Sequence, residues 1–491
     1  MYRSRPKGTL DKDILNFLSS ISADQQILHY DILGSEAHVI MLHEIGILTH
    51  HEQKKILTAL ERIKHKPSLV ANGSVEDIHE SIESSIIQQI GIDIGGKIQI
   101  GRSRNDQVIL DIRMKVRDEI NDICEKLITL ITSLLEKADE TIDAIMPMYT
   151  HLRQAQIGTF SHFVVSYADA LVRDLDRLCD TYARINQSPL GAGAVGGSRI
   201  KIDRKKTARL LGFDGVVRNS IDATSSRDTI IEFTAVLAII MLTLSRIAED
   251  IIIWSTDEFG YLDISDEYSS SSSAMPHKKN PDPLELLRAK AAVVFGDLAT
   301  MITVVKAVPS GYTRDFQEIK PSLWQASATT NQALKVMDYI VKSLIINKEK
   351  MLETSRNSYA IAIDLAELLA AKNGISFRMA HKMIGLLVQK AIGNNRQPLR
   401  MLREGDIREV LQRFGSNLPA EEVLRDIRQT TPEISISSRQ SAGSPNPRQE
   451  QETVNLLRRR LSVYAERIAK RKRHVDNSLE NLLKMVHNYS N

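Results

Sequence analysis

The chain has 491 residues, 42% hydrophobic and 25% charged, with 64 basic against 61 acidic side chains and a net charge of +3. That is an ordinary globular composition, long enough for about three domains or one large elongated one. The near-even charge excludes a dedicated nucleic-acid binder, which carries a strong basic excess. The only two cysteines, Cys124 and Cys179, exclude a disulfide framework and fit a reducing cytoplasm.

Met1 to Leu10 is basic and polar without an apolar h-region, so no secretory signal is expected. A boundary falls near Gly95-Gly96, and the segment Asp111–Ile142 then predicts a long helix. Its apolar residues Ile112, Val116, Ile120, Ile123, Leu127, Leu130 and Leu134 step by three and four, over about 45 Å of helix. Ile231–Trp254 is apolar on all sides until Arg246, which places it inside a bundle. Its most apolar run, Phe233–Leu244, is 12 residues, shorter than the roughly 20 that cross a bilayer. Leu284–Val305 predicts a third long helix, and a second boundary falls near Asn347–Arg356.

Beyond it, Asp364–Lys372 reads as a helix stopped by Asn373-Gly374, with Ser376 capping the next one, which carries His381. Ser435–Pro447 reads as a loop, and a last helix follows with Val454, Leu457, Leu461, Tyr464 and Ile468 on one face. Its basic runs, Arg458–Arg460 and Lys470–Arg473, suit a solvated helix face better than an RNA patch, since almost no aromatics interleave. No βαβ pattern, no Walker loop and no internal repeat stand out, and no histidine falls at zinc-site spacing. The expectation is an all-α chain of three parts, 1–101, 102–354 and 355–491, the middle one a long helical bundle.

Polar islands interrupt these apolar helices, and buried polar groups are costly without partners or a task. Five consecutive serines, Ser269–Ser273, precede Ala-Met-Pro-His-Lys278-Lys-Asn280-Pro-Asp-Pro-Leu-Glu285. Composition alone allows either a polar linker or a mobile loop that feeds a helix start. Gly101-Arg-Ser-Arg-Asn-Asp-Gln-Val108 is dense in hydrogen-bonding groups, suited to gripping a carboxylate or equally to capping a helix. Tyr149-Thr150-His151 and Val75-Glu-Asp77-Ile-His79 add histidines with pKa values suited to proton transfer or to plain packing.

The run Ser272–Pro281 resembles the signature Ser-Ser-x-Met-Pro-x-Lys-x-Asn-Pro of the fumarase/aspartase superfamily. Gly101–Val108 is similar to the narrower Gly-Arg-Ser-Arg-Asn-Asp-Gln motif of argininosuccinate lyases. The likeness extends from about Ser19 to His381. It implies that a bundle domain merges into a 20-helix core in a homotetramer with shared active sites. It implies catalytic roles for Ser272 as base, His151, Lys278 and Glu285 (the carboxylate that orients the histidine). It implies substrate contacts from Ser20, Asp24, Asp77, His79, Arg104, Asn105, Thr150, Arg227, Asn280, Tyr312, Gln317 and Lys320. Three departures are visible: Ser271 where the family has Gly, Ile157 where it has Pro, and Met1–Arg5 in place of Trp-Gly-Gly-Arg-Phe.

The implied activity is reversible β-elimination of argininosuccinate to arginine and fumarate, as in arginine biosynthesis. No metal or organic cofactor, nucleic acid or membrane is expected to take part. An adenylosuccinate lyase-type enzyme and a non-catalytic crystallin-like protein are the alternatives.

Overall fold

The computed structural model describes residues 10–70 and 75–490, so the Met1–Arg5 departure lies outside the described residues. The longer helices, labelled here in chain order, begin with α1 (Leu28–Glu44), α2 (His50–His65), α3 (Ile78–Ile90) and α4 (Arg104–Glu140). A hairpin of β1 (Ile145–Thr150) and β2 (Arg153–Thr159) leads to α5 (Phe160–Ile185) and α6 (Asp228–Trp254). The two-residue strands β3 (Ser270–Ser271) and β4 (Lys279–Asn280) flank the serine loop ahead of α7 (Asp282–Val305) and α8 (Ile319–Ser343). After α9 (Lys348–Asn357) come α10 (Ala362–Asn373), α11 (Phe377–Gly393), α12 (Glu404–Arg413), α13 (Ala420–Gln429), the short α14 (Pro432–Ser437) and the 44-residue α15 (Pro447–Ser490).

Helices α4 to α8 form the bundle, and side-chain pairs fix their directions. Arg113 of α4 donates to the carbonyls of Arg184 and Ile185 at the end of α5, while the amide of Phe160, at its start, donates to Ala144. These two helices are therefore antiparallel. Tyr167 with Asp250, and Thr234 with Met301, make α5–α6 and α6–α7 antiparallel too. Glu119 with Ser327, Lys126 with Asn331 and Ser133 with Asp338 make α4 and α8 parallel. Helices α4, α6 and α8 thus start at one end, and α5 and α7 start at the other.

The main core joins the bundle to α1–α3 and α15, and a second core of its own links α10 to α13. All five apolar positions expected on the last helix are buried in the main core. Gly374 stops α10 with φ +65°, and the Ser376 hydroxyl accepts the Met379 amide at 3.3 Å, as their residue types required.

Three expectations change and one is refined. The helix holding Phe233–Leu244 is 27 residues long with hydropathy 2.0, so its length is no bar to crossing a membrane. What places α6 is packing between α5, α7 and α8. Strands are few, as an all-α chain requires, yet a real β-hairpin, β1–β2, is present that no sequence pattern announced. Residues 435–437 of the expected loop close α14. The basic runs of α15 are not simply solvated: Arg458, Arg460 and Lys472 pair with Asp139, Asp176 and Glu125 of α4 and α5.

Candidate active site

At the end where α4, α6 and α8 begin, helix starts converge and bring most of the predicted contacts together. Asp77 caps α3 by accepting the Glu80 amide at 2.8 Å, and Arg104 donates to its other oxygen at 2.7 Å. The Ser20 hydroxyl donates to Asp24 at 2.7 Å, and Asp24 is ion-paired with Lys320, both fully buried. Gln317 donates to the Leu18 carbonyl at 3.1 Å, tying the N-terminal segment to the start of α8. Arg227 is buried with its guanidinium 4.3 Å over the Phe316 ring, and two of its nitrogens, Nε and Nη2, have no partner among the described residues. Burial pulls its pKa down to about 10, and raises that of the neighbouring Tyr312 phenol.

Behind this cluster lies a buried ionic network that sequence reading missed. Burial alone would lower the pKa of His79, but the Asp31 carboxylate hydrogen-bonded to its Nδ1 raises it. The same pairing, with Arg102, outweighs burial at Asp31 and keeps that carboxyl below its usual range. Burial and the charge of Asp31 push the Asp111 carboxyl well above the usual carboxylate range. Asp31, His79 and Asp111 put ligand atoms within 4.8 Å of one another. The hydrogen bond already joining His79 to Asp31 and the charges of Arg102 and Lys320 favour an ion-paired network there over a cation site.

A glycine-rich loop also joins this end unforeseen. Asp106 caps α4 with one oxygen, and with the other it accepts the amides of Gly191 and Gly193 at 3.0 and 2.7 Å. Asn105 donates to the Ala194 carbonyl at 3.1 Å. Gly191, Gly193 and Gly197 all have positive φ, and a Cβ on Gly193 would lie 2.8 Å from the Gly197 carbonyl oxygen. The visible signal was four glycines between 191 and 197.

The remaining predicted residues sit at the opposite end, about 35–40 Å away along the 27-residue α6. Ser270 pairs with Asn280 and Ser271 with Lys279, so the serine run opens and closes a tight loop. Ser271 takes an extended conformation there, which explains why a serine is accepted in place of glycine. Lys279 anchors the loop on Asp263 at 2.8 Å and Asp266 at 3.1 Å. Inside it, Ser272 Oγ accepts the amides of Ala274 and Met275 at 3.3 and 3.1 Å. Lys278 and Glu285 are exposed and Asn280 half-buried.

Thr150 ends β1, and His151 with Leu152 forms the two-residue turn, each at φ 55°. That is a type I′ geometry, usually given to Asn-Gly. The Tyr149 hydroxyl bonds that of Tyr261 at 2.6 Å and pins the hairpin to the bundle. Ile157, in place of proline, is fully buried among Ile145, Ala360 and Ile436. The expected orientation of His151 by Glu285 does not occur within one chain: no hydrogen bond or ion pair joins them among the described residues. One chain therefore carries the predicted residues as two candidate half-sites at opposite ends.

Residues 5–296 match the family described as Lyase, and residues 359–426 match the one described as argininosuccinate lyase C-terminal. Over 99% of both chains, the sequence is 44% identical to the argininosuccinate lyase of Nitrosopumilus maritimus (strain SCM1). It is 38% identical to that of Methanocaldococcus jannaschii, over 98% of each. The chain belongs to the argininosuccinate lyase family. Among solved structures, EDDS lyase in complex with formate superposes with a TM-score of 0.87 at 29% identity, covering 99% of this chain and 97% of its own. An argininosuccinate lyase family member is a lyase by fold and by sequence, and the two half-sites are where its chemistry is to be sought.

Proposed function

We propose that this lyase eliminates arginine from argininosuccinate reversibly, releasing fumarate as a step of arginine biosynthesis. The observation that carries the reading is full-length likeness to proteins named argininosuccinate lyase, in a chain holding a residue for each chemical task. Removing a Cβ proton from a succinyl group needs a base and strong stabilisation of the dianion that forms. Ser272 is the base. Two amides already aim at its Oγ, and such donors favour the alkoxide. Lys278 and Asn280 stabilise the developing carboxylate charge, and His151, oriented by Glu285, hands a proton to the departing guanidinium nitrogen.

At the other end, Arg227 is a buried cation with two free donors, a costly state that a substrate carboxylate relieves. Ser20, Asp24, Asp77, His79, Arg104, Asn105, Tyr312, Gln317 and Lys320 line that half, and Thr150 belongs to the hairpin half.

Because the halves stand about 35–40 Å apart, a working site takes them from different copies. The exposed faces of α6 and α7 support this. Leu242, Leu286, Val293 and Ile302 are each more than 40% exposed, and only 56% of the most apolar window of α6 is buried within one chain. A homotetramer that joins these helices covers them.

The assay is fumarate absorbance with argininosuccinate and, separately, adenylosuccinate. Turnover of the first alone is expected; turnover of the second alone would replace the reading. Mixing inactive Arg227→Ala and Ser272→Ala subunits tests the sharing. Regained activity is expected, and its absence in well-folded mixed oligomers counts against composite sites.

A further inference from the structure

The two cysteines of this chain meet inside the bundle. Cys124 of α4 and Cys179 of α5 face the same guanidinium and are buried, at 0% and 1% exposure. Arg471 of α15 covers the pair. Its Nη2 lies 3.5 Å from Cys124 Sγ and its Nη1 3.8 Å from Cys179 Sγ. Its Nε donates to Asn121 Oδ1 at 2.6 Å, and the guanidinium sits 4.1 Å from the Tyr182 ring centre.

Neutral sulfur is a poor acceptor for a guanidinium. A half-buried arginine calls for an anion, yet no carboxylate bonds Arg471 among the described residues. A thiolate meets that need. The hydrogen bond from Cys124, then the charges of Arg471 and Arg467, bring Cys179 down to about 6, while burial pushes Cys124 up. One sulfur is set to attack and its neighbour holds a proton.

We propose that Cys124 and Cys179 form a redox-modification site, at which a hydroperoxide converts the pair into a disulfide that joins α4 to α5. In the first step the Cys179 thiolate attacks a peroxide oxygen. The O–O bond breaks, hydroxide or alkoxide leaves, and the sulfur is oxidised by two electrons to a sulfenic acid. Cys124 sulfur then attacks that sulfur. The S–S bond forms, the S–O bond breaks, and the Cys124 proton leaves with the hydroxyl as water. The pair lies about 30 Å along α4 from Arg104, outside both half-sites. Oxidation also removes the anion that balances Arg471, and so weakens the hold of α15.

Native protein treated with hydrogen peroxide, quenched, then unfolded, alkylated and digested, tests this by mass. The expected product is one cross-linked peptide pair containing Cys124 and Cys179, two hydrogens lighter and restored by dithiothreitol. In Cys124→Ser, Cys179 is expected to stop as a sulfenic acid that dimedone traps. In Arg471→Gln, oxidation is expected to slow about tenfold, as the thiolate fraction falls. The proposal is overturned if, after peroxide that fully oxidises glutathione, both thiols are still alkylated once the protein is unfolded. It is equally overturned if the disulfide is intermolecular, or if Arg471→Gln oxidises at the wild-type rate. The wild-type map decides the pairing even if a variant fails to fold.

Discussion

The two half-sites are built in opposite ways. At the end where α4, α6 and α8 start, most charged groups are buried or half-buried and already paired, Asp24 with Lys320, Asp77 with Arg104 and Asp31 with His79, while Arg227 keeps two free donors. At the other end, Ser272, Lys278, His151 and Glu285 stand on a short loop, a hairpin turn and a first helical turn, mostly exposed. A prewired end holds a charged substrate in one pose without reorganising. An open end that moves can admit the substrate and then close over it. In the proposed reading, binding falls to the paired end and bond-breaking to the exposed one, and substitutions at the two ends should fail in different ways.

The largest effect is expected at the open end. Ser272→Ala should lower kcat by about 10²–10⁴-fold with little change in melting temperature, because the two amides that its hydroxyl accepts lie on an exposed loop and can turn to water. Fumarate release and calorimetry on the same preparation check both halves of that statement. Near-wild-type kcat would remove Ser272 as the base. At the closed end, Asp24→Ala should instead destabilise the fold by about 3–5 kcal/mol, since it strands the buried Lys320 ammonium. A denaturant melt reads it. A change under about 1 kcal/mol would mean that Lys320 finds water, and that this end is less closed than it looks.

The same contrast explains what the sequence made legible. Long helices announced themselves through apolar steps of three and four, and the stop at Gly374 and the start at Ser376 through residue type alone. The hairpin did not, because Ile145-Met-Pro-Met-Tyr-Thr150 lacks alternation and His151-Leu152 is not a turn pair. Site residues could be named only by likeness to a family. Which of them meet depends on helix direction, and direction is set by distant pairs such as Glu119 with Ser327. Asp31 and Asp111 were passed over because an acid on a helix normally faces water, and only the packing of α1 against α4 buries them.

Those two acids offer a finer test of the closed end. Asp31 has a depressed pKa, so its contribution is present above the unfolded value near 3.9 and is lost as pH falls through the folded one. His79 is raised, so its contribution is present below about 6.5 and is lost as pH rises through its folded value. Asp111 is raised as well, and its contribution likewise fades as pH rises through its folded value. Asp31→Asn should therefore cost about 1–3 kcal/mol at neutral pH by depriving His79 of its partner. Asp111→Asn, which mimics the protonated acid, should be near neutral at pH 7 and flatten the alkaline loss of stability. Melting curves from acid to alkaline pH separate the two. Equal costs at neutral pH would show that Asp111 is ionised in the fold.

The smallest effect belongs to the hairpin. Leu152 is 72% exposed at φ 55°, so its side chain packs little while its backbone is held where a Cβ crowds the carbonyl. Glycine relieves about 1–2 kcal/mol of that strain but loses about 0.5–1 kcal/mol to the greater freedom of the unfolded chain. Leu152→Gly should therefore stabilise by at most about 1.5 kcal/mol. His151→Gly should gain similarly in stability while losing activity, since it removes the proton donor. If Leu152→Gly is stabilising and active while His151→Gly is stabilising and inactive, the strain at the turn serves the imidazole alone. If both destabilise, a neighbouring copy already braces the turn, and the open end is closed in the assembly.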